Sequence, residues 1–182
     1  MIQRHLQKVF ESECNGHWHD AFWQYRELGT RCPSQKVTAH FGFFCWYLLG
    51  HWDEISDSAE IFSPVQQFPI RFGGDFSRTE LMAILNATTC KLLGEVENVP
   101  VHYLGALVQM QREMPCLFER ETFSDEIRDR LLRYLESRPG LPEGTRALFA
   151  AQRGAVLTQA QRESVGRLFP EGSLMRRYFS AA

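Results

Sequence analysis

Apolar residues recur at intervals of three and four along almost the whole chain, and this periodicity limits the fold more than any other feature. In the first segment Ile2, Leu6, Val9 and Phe10 fall on one face of a helix, and later segments repeat the pattern. No segment alternates between polar and apolar residues over more than a few positions, as a half-buried strand would. The sequence therefore predicts an all-α fold.

Capping and turn residues mark where the predicted helices begin and end. Residues 63–76, "SPVQQFPIRFGGDF", contain two prolines and a pair of glycines, so we expect one long irregular stretch there. Two capping boxes, in which each side chain satisfies the other's backbone donor, are predicted: Ser77 with Glu80, and Thr158 with Gln161.

Composition and charge exclude several classes of function. The 182 residues have a formal net charge of -2, without the concentrated positive face that a nucleic-acid partner requires. The longest apolar run, nine residues from Phe41, is far short of the roughly 20 needed to span a bilayer, and the N-terminus lacks the pattern of a signal peptide. The five cysteines are scattered and form no CxxC pair, as is typical of a reducing compartment. We expect a cytoplasmic protein with no nucleic-acid partner and no membrane insertion.

Arginine carries almost all of the positive charge and is concentrated toward the C-terminus. From Leu117 onward there are eleven arginines and no lysine, against nine acidic residues. Such a region would either dock an acidic partner or form a solvated, salt-bridged helical surface. The near-neutral balance favours the salt-bridged surface.

The tripeptide Gly-His-Trp occurs twice, starting at Gly16 and at Gly50, thirty-four residues apart. A repeat of this length indicates stacked supersecondary units. A third copy counted from Gly94 requires a ten-residue insertion, and residues 63–76 lie where that insertion would have to be. Equal offsets from the three glycines select Ala21, Tyr25, Leu28 and Pro33; then Ile55, Ala59, Phe62 and Gln67; then Val99, Tyr103, Ala106 and Gln111.

This pattern resembles the tetratricopeptide (TPR) repeat, a helix–turn–helix unit of thirty-four residues. The first copy matches the family at Gly16, Ala21, Tyr25 and Pro33. The match is partial, because the other two copies lack the closing proline and few of the aromatic residues of the family's first helix are present. The resemblance covers about residues 2–113. It implies about three antiparallel helix pairs in residues 1–115, followed by a C-terminal helical region, 116–182, that packs on the repeats or caps them.

In the TPR family the first helix of each pair lines a concave groove, which suits an extended peptide or a partner helix. The resemblance therefore implies a non-catalytic protein–protein interaction module, similar to chaperones and accessory subunits of bacterial secretion or assembly systems. Whether the chain also self-associates stays open. The groove positions that the resemblance selects are Leu6, Phe10, His40, Phe44, Tyr47, Ile84, Thr88 and Lys91.

Two alternative functions are kept beside this one. The helix "VPVHYLGALVQMQREM" is faintly similar to maturation chaperones of redox enzymes, which bind a signal peptide. A helical enzyme or metal protein would instead use Cys14, His17, His19 and His51, because zinc prefers Cys and His ligands. His17 and His19 would point to different faces of a helix, and no phosphate-binding loop, HExxH or GxSxG motif is present. We therefore predict no metal, no cofactor and no catalytic residue.

Overall fold

The computed structural model describes residues 2–53, 77–119 and 125–181, and all regular structure in these residues is helical. The prediction of an all-α fold is confirmed for them. Within the same residues, no helix has both the length and the apolar content needed to cross a membrane. The sequence also predicts a helix over about residues 53–62, and its residues 54–62 lie outside the described residues. The irregular stretch 63–76 and the second-copy positions lie outside them too, namely Ile55, Ala59, Phe62 and Gln67.

Nine α-helices and one short 3-10 helix make up the described part of the chain. The α-helices are α1 (Ile2–Cys14), α2 (Trp18–Arg31), α3 (Gln35–Gly50), α4 (Arg78–Gly94), α5 (Val101–Glu113), α6 (Asp125–Glu136), α7 (Glu143–Gln152), α8 (Gln159–Gly166) and α9 (Leu174–Ser180). The 3-10 helix, Pro115–Leu117, follows α5.

The first four helices pack against one another in chain order, with α3 at the centre. The α2 and α3 helices are antiparallel, because Trp18 at the start of α2 lies 6.0 Å from Tyr47 near the end of α3. The α3 and α4 helices are also antiparallel, since Gln35 donates to the carboxylate of Glu95 at 2.8 Å. Eleven of the 16 residues of α3 are buried, as its nearly continuous apolar sequence predicts.

A glycine allows α3 and α4 to approach closely. A β-carbon added at Gly42 would lie 2.6 Å from Oγ1 of Thr88, which is inside van der Waals contact. Small residues at such crossings let two helix backbones come nearer than larger side chains would permit. The α3–α4 contact is the most extensive between two helices of the described residues.

The C-terminal helices return to the N-terminal ones. The α5 helix packs against α3 and α7 rather than chiefly against α4, its predicted partner in a third repeat. The chain then continues through α7, α8 and α9, and α9 contacts both α1 and α3. Tyr178 and Phe179 of α9 lie 5.5 and 6.0 Å from the ring of Phe43. The number of TPR-like pairs stays a prediction.

The two predicted capping boxes have different outcomes. At the start of α8, the Thr158 hydroxyl accepts from the Gln161 backbone at 3.2 Å, and the Gln161 side chain accepts from the Thr158 backbone at 2.9 Å. At the start of α4, Ser77 accepts from the backbone of Glu80, but the Glu80 carboxylate pairs with Arg26 at 2.5 Å. The prediction of a full box at Ser77 is therefore wrong, because a cation on α2 takes the glutamate.

The cap of α8 gives a first test of the structure. Replacing Thr158 with alanine should lower the free energy of unfolding by about 1 kcal/mol, because the Gln161 backbone donor loses its acceptor. Urea denaturation followed by circular dichroism measures the change. Thr30→Ala is the control, since Thr30 is an exposed residue inside α2 that caps no helix. Equal stability of Thr158→Ala and the unaltered chain would contradict the cap.

Candidate functional site

The groove positions implied by the TPR resemblance are divided between the core and the surface. Leu6, Phe10, His40 and Phe44 are buried, with between 0% and 6% of their surface exposed. Tyr47, Ile84 and Thr88 are half-buried, and Lys91 is exposed. The structure therefore places half of the set inside the packed interior.

The chain's own C-terminal half fills the space beside two of these residues. The Nε2 atom of His40 and the hydroxyl of Tyr103 on α5 are 3.0 Å apart. Tyr103 also contacts the ring of Phe169 at a centroid distance of 5.8 Å. A β-carbon added at Gly172 would lie 3.9 Å from the β-carbon of Phe10. Residues of α5 and of the turn before α9 thus cover the face of α1 and α3 that the resemblance assigns to a partner.

The two Gly-His-Trp motifs meet at one end of the α2–α3 pair. The first begins α2 and the second ends α3, so antiparallel packing brings them together. Tyr47 lies between them: its ring is 6.0 Å from Trp18 and 4.2 Å from His51, on which it stacks. The His51 Nδ1 atom is also 3.0 Å from the carbonyl oxygen of Tyr47. The motifs therefore build an aromatic contact between neighbouring helices.

The Cys and His residues of the alternative metal site make other contacts. The thiol of Cys14 donates to the carbonyl of Gly172 at 3.3 Å, and the ring of His19 lies edge-on to Trp23. His17 is exposed. Across residues 2–53, 77–119 and 125–181, no three His, Cys, Asp or Glu side chains are grouped so that they could hold a metal ion.

A buried carboxyl group joins α1, α2 and α9. Glu13, only 1% exposed, accepts a hydrogen bond from the Tyr25 hydroxyl at 2.6 Å and another from the backbone N–H of Leu174 at 3.2 Å. Burial raises the pKa of Glu13 to about 7, although these two hydrogen bonds and the charge of Arg177 act in the opposite direction. A carboxyl group in this position ties the C-terminal helix to the N-terminal pair.

Other buried titratable groups are held in their neutral forms. Burial, together with the smaller effects of the nearby His102 and Lys36, lowers the pKa of His40 to about 3. Burial also lowers the pKa of His102 to about 4 and raises the pKa of the Tyr25 hydroxyl and the Cys45 thiol. Catalytic groups with shifted pKa values lie in clefts that a substrate can enter. Of these residues, His40, Tyr25 and Cys45 are in the packed interior, and His102 is only half-buried.

A surface cavity lies between α5, α6 and α7, and we call it the α5–α6–α7 cleft. Its volume is about 550 Å³. Among the described residues, four arginines and one carboxylate line it, and they come from α5, α6 and the end of α7. The lining residues are Arg112, Arg128, Asp129, Leu132, Arg133, Gln152 and Arg153.

A second cavity continues from the first, because both are lined by Arg153. It has a volume of about 650 Å³ and adds Arg138 and Arg146 to the cationic lining, with Glu136 as its carboxylate. Arg153 pairs with Glu136 at 2.5 Å, and the guanidinium of Arg138 lies 4.3 Å from the centre of the Tyr134 ring. The two cavities adjoin at Arg153, and arginines line both of them.

A smaller apolar cavity lies on another side of α6. It has a volume of about 340 Å³ and is lined by Leu93, Val96, Arg130, Leu131 and Tyr134. None of the groups with shifted pKa values described above lines any of these three cavities. The cavities suit binding through shape and charge.

Sequence reasoning placed the candidate site on α1, α3 and α4, and it missed the α5–α6–α7 cleft. The signal that pointed to the cleft was the run of arginines without lysine. Some of these arginines are salt-bridged, as predicted: Arg153 pairs with Glu136 and Arg167 with Glu163. The gathering of Arg112 with arginines of α6 and α7 depends on tertiary packing, which composition does not give.

Comparisons with models of protein families, with curated proteins and with solved structures gave no match to this chain.

Proposed function

We propose that this chain is a non-catalytic interaction module that binds a segment of a partner protein in the α5–α6–α7 cleft. The observation that carries the proposal is the cleft itself, a cavity of about 550 Å³ whose walls come from three helices. Its adjoining cavity of about 650 Å³ lengthens the same surface. An elongated surface of this kind suits an extended segment better than a compact small molecule.

The position of the reactive groups supports a non-catalytic role. Glu13 and His40 have strongly shifted pKa values, but they are 1% and 2% exposed and lie away from the cleft lining. A catalytic acid or base must come within hydrogen-bonding reach of a substrate. In this chain such groups join helices to one another.

The TPR-like architecture is part of the same proposal. The antiparallel packing of α2 on α3 and of α3 on α4 supports it for the N-terminal helices. Because the TPR-like repeat pattern resembles that of chaperones and accessory subunits of bacterial secretion or assembly systems, we extend the proposal to that class of role.

Site-specific photo-crosslinking in cells of the source organism tests the proposal. A photoreactive amino acid in place of Arg133, an exposed residue of the cleft lining, should crosslink a partner protein. The same amino acid in place of Arg167, an exposed residue after α8, is the matched control and should not. Mass spectrometry identifies the crosslinked protein and the segment attached. Crosslinks of equal yield at the two positions, or none at Arg133, would contradict the proposal.

A further inference from the structure

We infer that the partner segment is acidic, and that arginine side chains of the α5–α6–α7 cleft bind its Asp and Glu carboxylates. The inference rests on the proposed function, because it names the chemistry of the segment that would occupy the proposed site. Four arginines and one carboxylate of the described residues line the cleft, although the chain as a whole has a net charge of -2. Positive charge is thus concentrated at this surface, although the net charge of the whole chain is negative.

Arginine is the residue type that recognises carboxylates in two-point geometry. Its planar guanidinium presents parallel N–H donors that match the two oxygens of a carboxylate, whereas lysine is a compact point charge. Every cation in the lining of both adjoining cavities is an arginine. Such a lining suits a ligand with several planar anionic groups along its length.

Several of these guanidinium groups are held in position by contacts within the chain. Arg112 donates from Nη1 to the carbonyl of Ala151 at 2.7 Å, and Arg133 donates from Nε to the carbonyl of Asp129 at 3.2 Å. Each of these bonds uses one nitrogen of the guanidinium group. Side chains that are already oriented lose less conformational freedom on binding.

A buried acceptor beside the arginines favours a peptide over a simple anion. Gln152 lines the cleft, is 9% exposed, and donates from its side-chain nitrogen to the carbonyl of Gly105 at 2.6 Å. Its side-chain oxygen has no hydrogen-bond partner within the part of the chain that the structure describes. An acceptor left without a partner costs free energy, and a ligand donor would recover it once the Gln152 side chain turns this buried oxygen toward the cleft. A peptide brings backbone N–H donors together with its carboxylates, whereas a fully ionised phosphate brings acceptors alone.

The test uses a short fluorescent peptide rich in Asp and Glu, and a second peptide of the same length in which Asn and Gln replace them. Fluorescence anisotropy measures the affinity of each for the full chain at low salt and at about 0.15 M salt. We expect the acidic peptide to bind and the neutral peptide not to bind, and we expect added salt to weaken the complex.

A pair of double variants locates the binding. Arg133→Gln with Arg153→Gln removes two cleft charges, and Arg162→Gln with Arg167→Gln removes two charges at α8, outside the cleft. Circular dichroism and thermal unfolding first establish that both variants fold. We expect the cleft variant to bind the acidic peptide at least about tenfold more weakly and the α8 variant to change less than about twofold, because charge-assisted hydrogen bonds depend on position. Equal weakening in both variants would overturn the inference.

Two further ligands distinguish other sources of negative charge. Inorganic phosphate and a single-stranded oligonucleotide are added as competitors of the acidic peptide. If either displaces the peptide at lower concentration than unlabelled acidic peptide does, the cleft is not specific for an acidic protein segment and the inference fails. A partner crosslinked at Arg133 together with no binding of the acidic peptide would leave the proposed function standing and refute the acidic chemistry alone. Binding of the peptide without any crosslinked partner would instead refute the proposed function.

Discussion

Acidification from pH 7 to pH 4.5 should lower the free energy of unfolding by about 3 kcal/mol less when His40 is replaced with glutamine. The pKa of His40 is lowered from 6.5 to about 3 in the folded chain, chiefly by burial. Below pH 6.5 the unfolded chain therefore binds a proton that the folded chain cannot accept, so stability falls as the pH falls. Glutamine cannot take up this proton, and its amide can still hydrogen-bond the hydroxyl of Tyr103.

Protonation of Glu13 should have the opposite effect on the stability of the protein in acid. Its pKa is raised from 4.5 to about 7, so between these values the folded chain holds a proton that the unfolded chain releases. Its contribution to stability is greatest below pH 4.5 and is lost as the pH rises through 7. Glu13→Gln removes the gain on acidification and should therefore increase acid sensitivity, again by about 3 kcal/mol between pH 7 and pH 4.5.

Urea denaturation of the unaltered chain and of the two variants, at pH 7 and at pH 4.5, measures both effects. His102 titrates in the same direction as His40, since its pKa is lowered to about 4, and it is present in all three proteins. An exposed histidine changed in the same way, His17→Gln, controls for the loss of an imidazole. If His40→Gln loses as much stability on acidification as the unaltered chain, the buried position of His40 is wrong.

Local features of the fold could be predicted from the sequence because each depends on nearby residues alone. The three-and-four spacing gives the helices, and Thr158 with Gln161 gives the start of α8, since both partners lie within one turn. The nearly continuous apolar run of α3 likewise predicts its central position. The box at Ser77 fails because Arg26, fifty-four residues away from Glu80, competes for the glutamate.

The candidate site could not be predicted in the same way, because it depends on which element covers which face. Periodicity gives an apolar face on α1 and on α3, but it does not say whether a partner or the chain itself covers that face. Here Tyr103, from later in the sequence, contacts His40, and Phe169 in turn packs on Tyr103. The TPR resemblance indicates which positions of this chain match the family's groove, but it does not indicate which of them are buried. For the α5–α6–α7 cleft, the sequence shows that this part of the chain is rich in arginine. It does not show that α5, α6 and α7 bring those arginines together.

Buried and exposed residues of the predicted groove should differ strongly in how much their replacement lowers the free energy of unfolding. Phe44→Ala should lower the free energy of unfolding by about 3 to 5 kcal/mol, because the ring is fully buried and its removal leaves a cavity. The ring packs 5.3 Å from Tyr25 and 6.3 Å from Trp18, so neighbours on α2 would lose contacts as well. Lys91→Ala, at an exposed groove position, should change the same quantity by less than about 0.5 kcal/mol.

Denaturation of the two variants at neutral pH separates packing from binding. A residue lining an open groove would affect the free protein little and would change mainly the affinity for a partner. A residue in the core lowers stability whether or not a partner is present. A loss below about 1 kcal/mol for Phe44→Ala would contradict the packed interior of α3 and make this face a candidate binding groove again. The expected loss would mean that a partner can reach Phe44 only after the chain's own helices move away.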